Sequence, residues 1–170
     1  MNYIKIILLI TLAITFSGCA QKAQMKNMTV KHLKTTTYND KYANNIDVIS
    51  VSGGQKTNPA WSSQIASDDF KKAIVASLMN AGLYEKNAQY RLKAELLKIE
   101  QPSMGFDMTV TMTVRYTLLN YKDKSIIFQK VITKPYTATV GDAFAGVKRL
   151  QMANEGSARE NIYLLLKKLK

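Results

Sequence analysis

Thirteen consecutive residues alternate between apolar and polar without a slip. Phe106, Met108, Val110, Met112, Val114, Tyr116 and Leu118 fall on one side; Asp107, Thr109, Thr111, Thr113, Arg115 and Thr117 fall on the other. In an extended chain successive side chains point to opposite faces, so this pattern predicts a long strand with one buried and one wet face. A helix would scatter the same seven apolar side chains around its whole circumference. Such a strand needs partners along both edges and an apolar layer over its inner face.

The flanking sequence supplies both. Tyr90-Arg91-Leu92-Lys93-Ala94-Glu95-Leu96 also alternates, and Gln101-Pro102-Ser103-Met104-Gly105 turns the chain into the long strand. Asn120 to Lys124 reads as a hairpin turn. Ser125 to Thr139 reads as the last strand, with Ile126, Phe128 and Ile132 as core and Pro135 marking an edge or a bulge. Ile46, Val48 and Val51, with Ile49 on the opposite side, form a short first strand that Ser52-Gly53-Gly54 ends.

Two segments carry helical spacing. Phe70, Ile74, Val75 and Leu78 form a stripe behind Ser67 as N-cap, with Asp68 and Asp69 in the first turn and Asn80-Ala81-Gly82 as the stop. From Asp142 to Lys170, Val147, Leu150, Ala158, Ile162, Leu165 or Leu166, and Leu169 recur at helical intervals; Gly156 marks a bend or a close helix–sheet contact. The order βαβββα predicts an α+β two-layer sandwich: an antiparallel four-stranded sheet with two helices on one face, forming a single domain over residues 46–170. The Thr-, Arg- and Lys-rich face stays open to water or to a partner.

The N-terminus carries a different signal. Lys5 precedes the apolar run from Ile6 to Ile14, which is shorter than a comfortable membrane span, and Phe16-Ser17-Gly18 lead into Cys19. Residues 1–18 read as a signal peptide. Cys19, the only cysteine, resembles the lipobox cysteine of bacterial lipoproteins, with Phe16 where the family usually has Leu. The resemblance implies a diacylglycerol and an N-acyl chain on Cys19, and no other cofactor. Ala20 stands where Asp would mark inner-membrane retention, so the expected location is the periplasmic face of the outer membrane. Residues 19–45, polar and rich in Lys, Thr and Asn, read as a flexible basic tether.

The formal charge is +12, one unit less once Lys5 leaves with the signal peptide. In an exported protein this favours an anionic membrane, glycan or lipopolysaccharide (LPS) as partner, or another envelope protein, over nucleic acid. Catalytic and metal signatures are missing from the sequence. There is one histidine, His32, inside the expected tether, and neither a G-x-S-x-G elbow nor a Walker loop occurs. The expected role is therefore that of a non-enzymatic module.

The candidate binding patch combines Asn58 and Trp61, from the loop after the first strand, with Arg149, Asn154, Glu155 and Arg159 of the last helix. A local reading competes with it. Glu155 and Arg159 would form an i,i+4 pair contributing about 0.3–0.5 kcal/mol, Asn154 would cap a loop, and Trp61 would close the core.

Behind a lipobox, this element order resembles the LPS-assembly lipoprotein and YajG-type lipoproteins, which implies an accessory role in LPS or lipid transport. A closer resemblance rests on Ser52-Gly53-Gly54-Gln55-Lys56-Thr57-Asn58-Pro59-Ala60-Trp61, Glu100-Gln101-Pro102, Gly105-Phe106-Asp107-Met108, Tyr136-Thr137-Ala138-Thr139, Asp142-Ala143-Phe144 and Ala153-Asn154-Glu155-Gly156. These stretches resemble a family of proteobacterial lipoproteins without a defined role, some members of which bear the label UDP-N-acetylglucosamine acyltransferase. That activity would imply a left-handed β-helix of hexapeptide repeats and a catalytic histidine. This chain has no hexapeptide period.

Overall fold

The structure is a computed structural model that describes residues 20–31, 37–58 and 63–170. A one-turn helix α1 (Met25–Met28) and a 3-10 turn (Asp40–Tyr42) precede the sandwich. The sandwich consists of β1 (Ile46–Ser52), α2 (Ser67–Asn80), β2 (Tyr90–Glu100), β3 (Met108–Asn120), β4 (Ile126–Ala138) and α3 (Gly146–Lys167). The strands lie in sequence order, β1-β2-β3-β4. Both long helices cover one face, α2 against β1 and α3 against β3 and β4.

The long strand behaves as its alternation requires. Val110, Met112, Val114, Tyr116 and Leu118 are fully buried, while the intervening threonines and Arg115 face outward. Phe106, expected on the same inner face, is instead exposed, because β3 begins only at Met108 and residues 101–107 form a loop.

The α+β sandwich and its element order stand, but the sheet is mixed rather than antiparallel. β1 pairs with β2 in parallel, and only β2–β3 and β3–β4 are antiparallel. The reason is the connection. A tight hairpin reverses the chain, whereas a crossover through α2 carries it back to the starting end, so β2 runs the same way as β1.

β4 is an edge strand, which lets Pro135 sit opposite Thr111 without depriving an outer neighbour of an N–H. Its early residues depart from expectation. Ile126 is exposed and Phe128 only half-buried, while Ile132 is in the core. A register shift between Leu118 and Leu119 breaks the β3–β4 alternation at that end.

The helix ends shift for local reasons. α3 starts at Gly146, not Asp142, because the Asp142 carboxylate instead accepts hydrogen bonds from the Thr139 N–H and Oγ1. Ser67 is the first residue of α2 rather than its cap, and its Oγ accepts from the Gly54 N–H across 3.0 Å. Gly82 closes α2 in the left-handed region (φ 68°), as its position implied.

The largest correction concerns the expected tether. Ala23 and Met28 are fully buried, and Val30 and Tyr42 nearly so. The Val30 N–H donates to Ser77 Oγ, and Asn80 Nδ2 donates to the Val30 carbonyl. Tyr42 meets the Tyr90 ring edge-on at 5.1 Å. Residues 20–31 and 37–45 are therefore part of the folded layer. Their apolar residues are too few and too irregularly spaced to show a period, yet Ala23, Met28, Val30 and Tyr42 join the main core. His32 and Cys19 lie outside the described residues.

Candidate functional site

Sequence reasoning gathered its candidate patch largely on the last helix. The structure turns most of that set inward. Arg149, Asn154 and Glu155 are all buried, so they do not form an open recognition surface. Asn58 is exposed, and Trp61 lies outside the described residues.

Each buried member holds a different piece of chain to α3. Arg149 Nη1 donates to the Ala143 and Phe144 carbonyls at 2.8 and 2.6 Å, and Nη2 reaches the Gly105 carbonyl at 3.4 Å. It thereby joins the 101–107 loop to the 139–145 loop. Asn154 Nδ2 donates to the Ser63 carbonyl at 3.0 Å, and its Oδ1 accepts from Gln101 Nε2 at 2.9 Å.

Glu155 and Arg159 do not form the expected i,i+4 pair; both turn to α1. The Glu155 carboxylate accepts from the Gln24 N–H (2.9 Å), Asn27 Nδ2 (2.8 Å) and Gln151 Nε2 (3.0 Å). Arg159 Nη1 donates to the Asn27 carbonyl at 2.8 Å, and its guanidinium lies 5.6 Å from the Tyr136 ring centre. A buried carboxylate is tolerated when several donors compensate its lost hydration, as the three here do. The acid also sits at the N-terminal end of α1, where free N–H groups need acceptors.

Asn161 belongs to the same polar stretch of the last helix in the sequence, whereas Ser157 does not stand out there. Asn161 Nδ2 donates to the Met112 and Ile132 carbonyls at 3.1 and 3.0 Å, and Ser157 Oγ donates to the Lys134 carbonyl at 2.7 Å. Asn154, Ser157 and Asn161 recur at helical spacing, and that periodicity was the available signal.

Three open surfaces stand out among the described residues. The outer sheet face is a ladder of cross-strand bonds: Thr109–Thr137 at 2.8 Å, Thr113–Thr133 at 3.0 Å and Arg115–Glu95 at 2.6 Å. These paired polar groups satisfy one another. A groove of about 420 Å³ runs between α1 and α3, with Lys26, Lys31 and Arg159 opposed by Glu160, and Tyr163 as its aromatic wall. The third surface is an apolar tip. Met104, Phe106 and Phe144 are each more than 80% exposed, Val140 is exposed in the same loop as Phe144, and Met108, Val147 and Leu150 line a shallow cleft with Met104 and Phe144.

Among the described residues no group of His, Cys, Asp and Glu could hold a metal ion, and no helix is long and apolar enough to cross a membrane. The shifted acids have structural causes. Asp142 is held below the ordinary carboxylate range by the Thr139 N–H and hydroxyl, and Asp123 by the Ser125 hydroxyl and N–H. Both close turns. Burial pushes Tyr116 well above the ordinary phenol value.

No family model matches the sequence, and no curated protein matches it. Solved structures do share the fold. PelC from Paraburkholderia phytofirmans, crystallised as a dodecamer, is 14% identical, with 79% of this chain and 96% of that chain covered at a TM-score of 0.54. A Caulobacter crescentus protein classed as a lipoprotein is 14% identical over 76% of this chain and 90% of that one, TM-score 0.51. A Xanthomonas campestris protein of the DUF330 family is 14% identical over 77% and 91%, TM-score 0.51. The chain thus shares its α+β sandwich with proteins that include a lipoprotein, and at this identity the likeness is one of fold.

Proposed function

We propose that this chain is a lipid-anchored envelope lipoprotein that acts as a non-enzymatic binding or assembly module, held at the periplasmic face of the outer membrane by acylated Cys19. One observation carries the reading. The lipobox-like Phe16-Ser17-Gly18-Cys19 directly precedes a segment that Glu155, Gln151 and Arg159 fasten to the domain. An acyl group on Cys19 would then hold the folded layer itself at the bilayer. Two or three acyl chains make such anchoring durable, at about 0.8 kcal/mol per buried CH₂.

A binding role fits the deployment of polar groups. The buried ones on α3 fix neighbouring segments, and Thr109–Thr137, Thr113–Thr133 and Arg115–Glu95 on the sheet face bond across strands. The strong positive charge left after Lys5 is removed suits anionic envelope partners. The basic groove of Lys26, Lys31 and Arg159 favours a narrower reading, in which the ligand is an anionic glycan or LPS and the module assists lipid transport.

Mass spectrometry of the mature N-terminus tests the anchor. The expected product begins at Cys19 with a diacylglyceryl group and an N-acyl chain, sediments with the outer membrane, and is lost in Cys19→Ser. A mature protein that begins at Met1 with a free thiol rejects the reading. Retention on immobilised LPS, compared with Lys26→Glu and Lys31→Glu, tests the ligand class.

A further inference from the structure

We propose that the apolar tip formed by the 101–107 and 139–145 loops enters the bilayer interface beside the acylated N-terminus, so that the domain is held to the membrane at two adjacent points. The inference rests on the anchoring of Cys19 and adds a second contact to it.

The tip is unusual as a water-facing surface. Isolated exposed hydrophobic side chains are ordinary, but clustered ones mark contact sites. Here Met104 and Phe106 come from one loop, and Val140 and Phe144 from another. Arg149 ties the two loops together through the Gly105, Ala143 and Phe144 carbonyls. The cluster is thus a braced projection.

Its place relative to the N-terminus identifies the occupant. Gln151 Nε2 donates to the Lys22 carbonyl at 3.0 Å, and Arg149, two residues earlier on α3, holds Phe144. Two residues of helix rise about 3 Å along its axis, so both contacts lie at the same end of α3. The chain then runs from Lys22 toward Asn27 and Val30, away from the tip end of α3. Cys19 precedes Lys22 by three residues, a reach of at most about 10 Å. Acyl chains on Cys19 would therefore enter the membrane at the same end of the molecule as Phe144. A tip held there meets lipid before it meets another macromolecule.

The surrounding charges agree. Lys148 is exposed near the start of α3, suited to phosphate depth behind an inserted aromatic side chain. Of the acids in the tip loops, Asp142 is turned back onto Thr139, which leaves Asp107 at the rim. The opposite end of the molecule, the Tyr121–Lys124 turn, lies one long strand away, about 40 Å at 3.3 Å per residue.

The test uses the full acylated chain in vesicles of phosphatidylethanolamine and phosphatidylglycerol with brominated acyl chains. Cys19 is the only cysteine, and acylation blocks its thiol, so an introduced cysteine takes a bimane label alone. Probes at Phe106→Cys and Phe144→Cys should be quenched strongly, and a probe at Lys122→Cys should stay at background. Circular dichroism confirms that each variant is folded. Equal, weak quenching at all three positions of acylated, vesicle-bound protein overturns the proposal while leaving the anchor intact. Crosslinking of Phe144→Cys between two copies assigns the tip to self-association and also overturns it. An unacylated Cys19, seen by mass, removes the anchor and the proposal together, with a separate signature.

Discussion

Gly156 of α3 lies flat against the ring of Tyr136 on β4: a Cβ at this position would come within 2.3 Å of the ring's Cγ and Cδ1. Those atoms form the base of the ring, which cannot swing aside without moving the side chain. Helix and edge strand approach this closely because the residue has no side chain. Gly156→Ala should therefore destabilise the protein by about 1–3 kcal/mol, the usual range for overpacking. Tyr136→Ala should relieve the clash, so the double variant should lose less than the sum of the singles in denaturant melts. Additive losses would mean that the contact is not what requires glycine.

The Glu155 carboxylate is the acceptor for three donors from two segments. Glu155→Ala strands them, and hydrogen bonds to charged groups contribute about 1.5–3 kcal/mol. The expected outcome is a stability loss of that size, with faster amide exchange and easier proteolysis confined first to residues 20–31. Unchanged exchange at Gln24 and Asn27 would show that the apolar residues Ala23, Met28 and Val30 hold the segment without the acid.

Tyr116 is fully buried, and its hydroxyl has no hydrogen-bond partner among the described residues. Removing an unsatisfied buried polar group recovers part of a desolvation cost of about 1–3 kcal/mol, so Tyr116→Phe should leave stability equal or raise it. The pH dependence follows from the raised phenol value, caused by burial. Below the unfolded-state value both states are protonated and this stability is fully present. As pH rises past that value the unfolded state ionises first, so stability falls. Tyr116→Phe should flatten the alkaline limb of a stability–pH curve; an unchanged slope would assign that limb to other groups.

Asp142 closes the turn at the base of the tip. Its carboxylate is held low, first by the Thr139 N–H and then by the Thr139 hydroxyl. A lowered folded value means that the contribution is present above the unfolded-state value and lost as pH falls through the folded one. Carboxyl NMR should show Asp142 titrating below the ordinary aspartate range, and Thr139→Val should move it part of the way back, since only the hydroxyl bond is lost. An ordinary titration midpoint in the wild type would mean that the turn is open in solution.

The sequence by itself determined the layers. Strict alternation over β3, stripes on α2 and α3, and the glycine stop at Gly82 all depend on neighbours in the chain, and local periodicity records which face each element buries. It also located the charged and polar cluster of the last helix, and flagged Gly156 as a point of bend or close contact. What that cluster does is not encoded locally. Arg149, Asn154 and Glu155 look like surface residues until Gly105, Gln101 and Gln24, between 44 and 131 positions away, supply their partners. The parallel pairing of β1 and β2 was equally hidden, because a strand's pattern records its faces and says nothing of its direction. The packing of Ala23, Met28 and Val30 depends on partners from α2 and α3 that lie far along the chain. Tertiary structure alone decided these features, since each depends on a contact whose two halves are remote in the chain and carry no shared period.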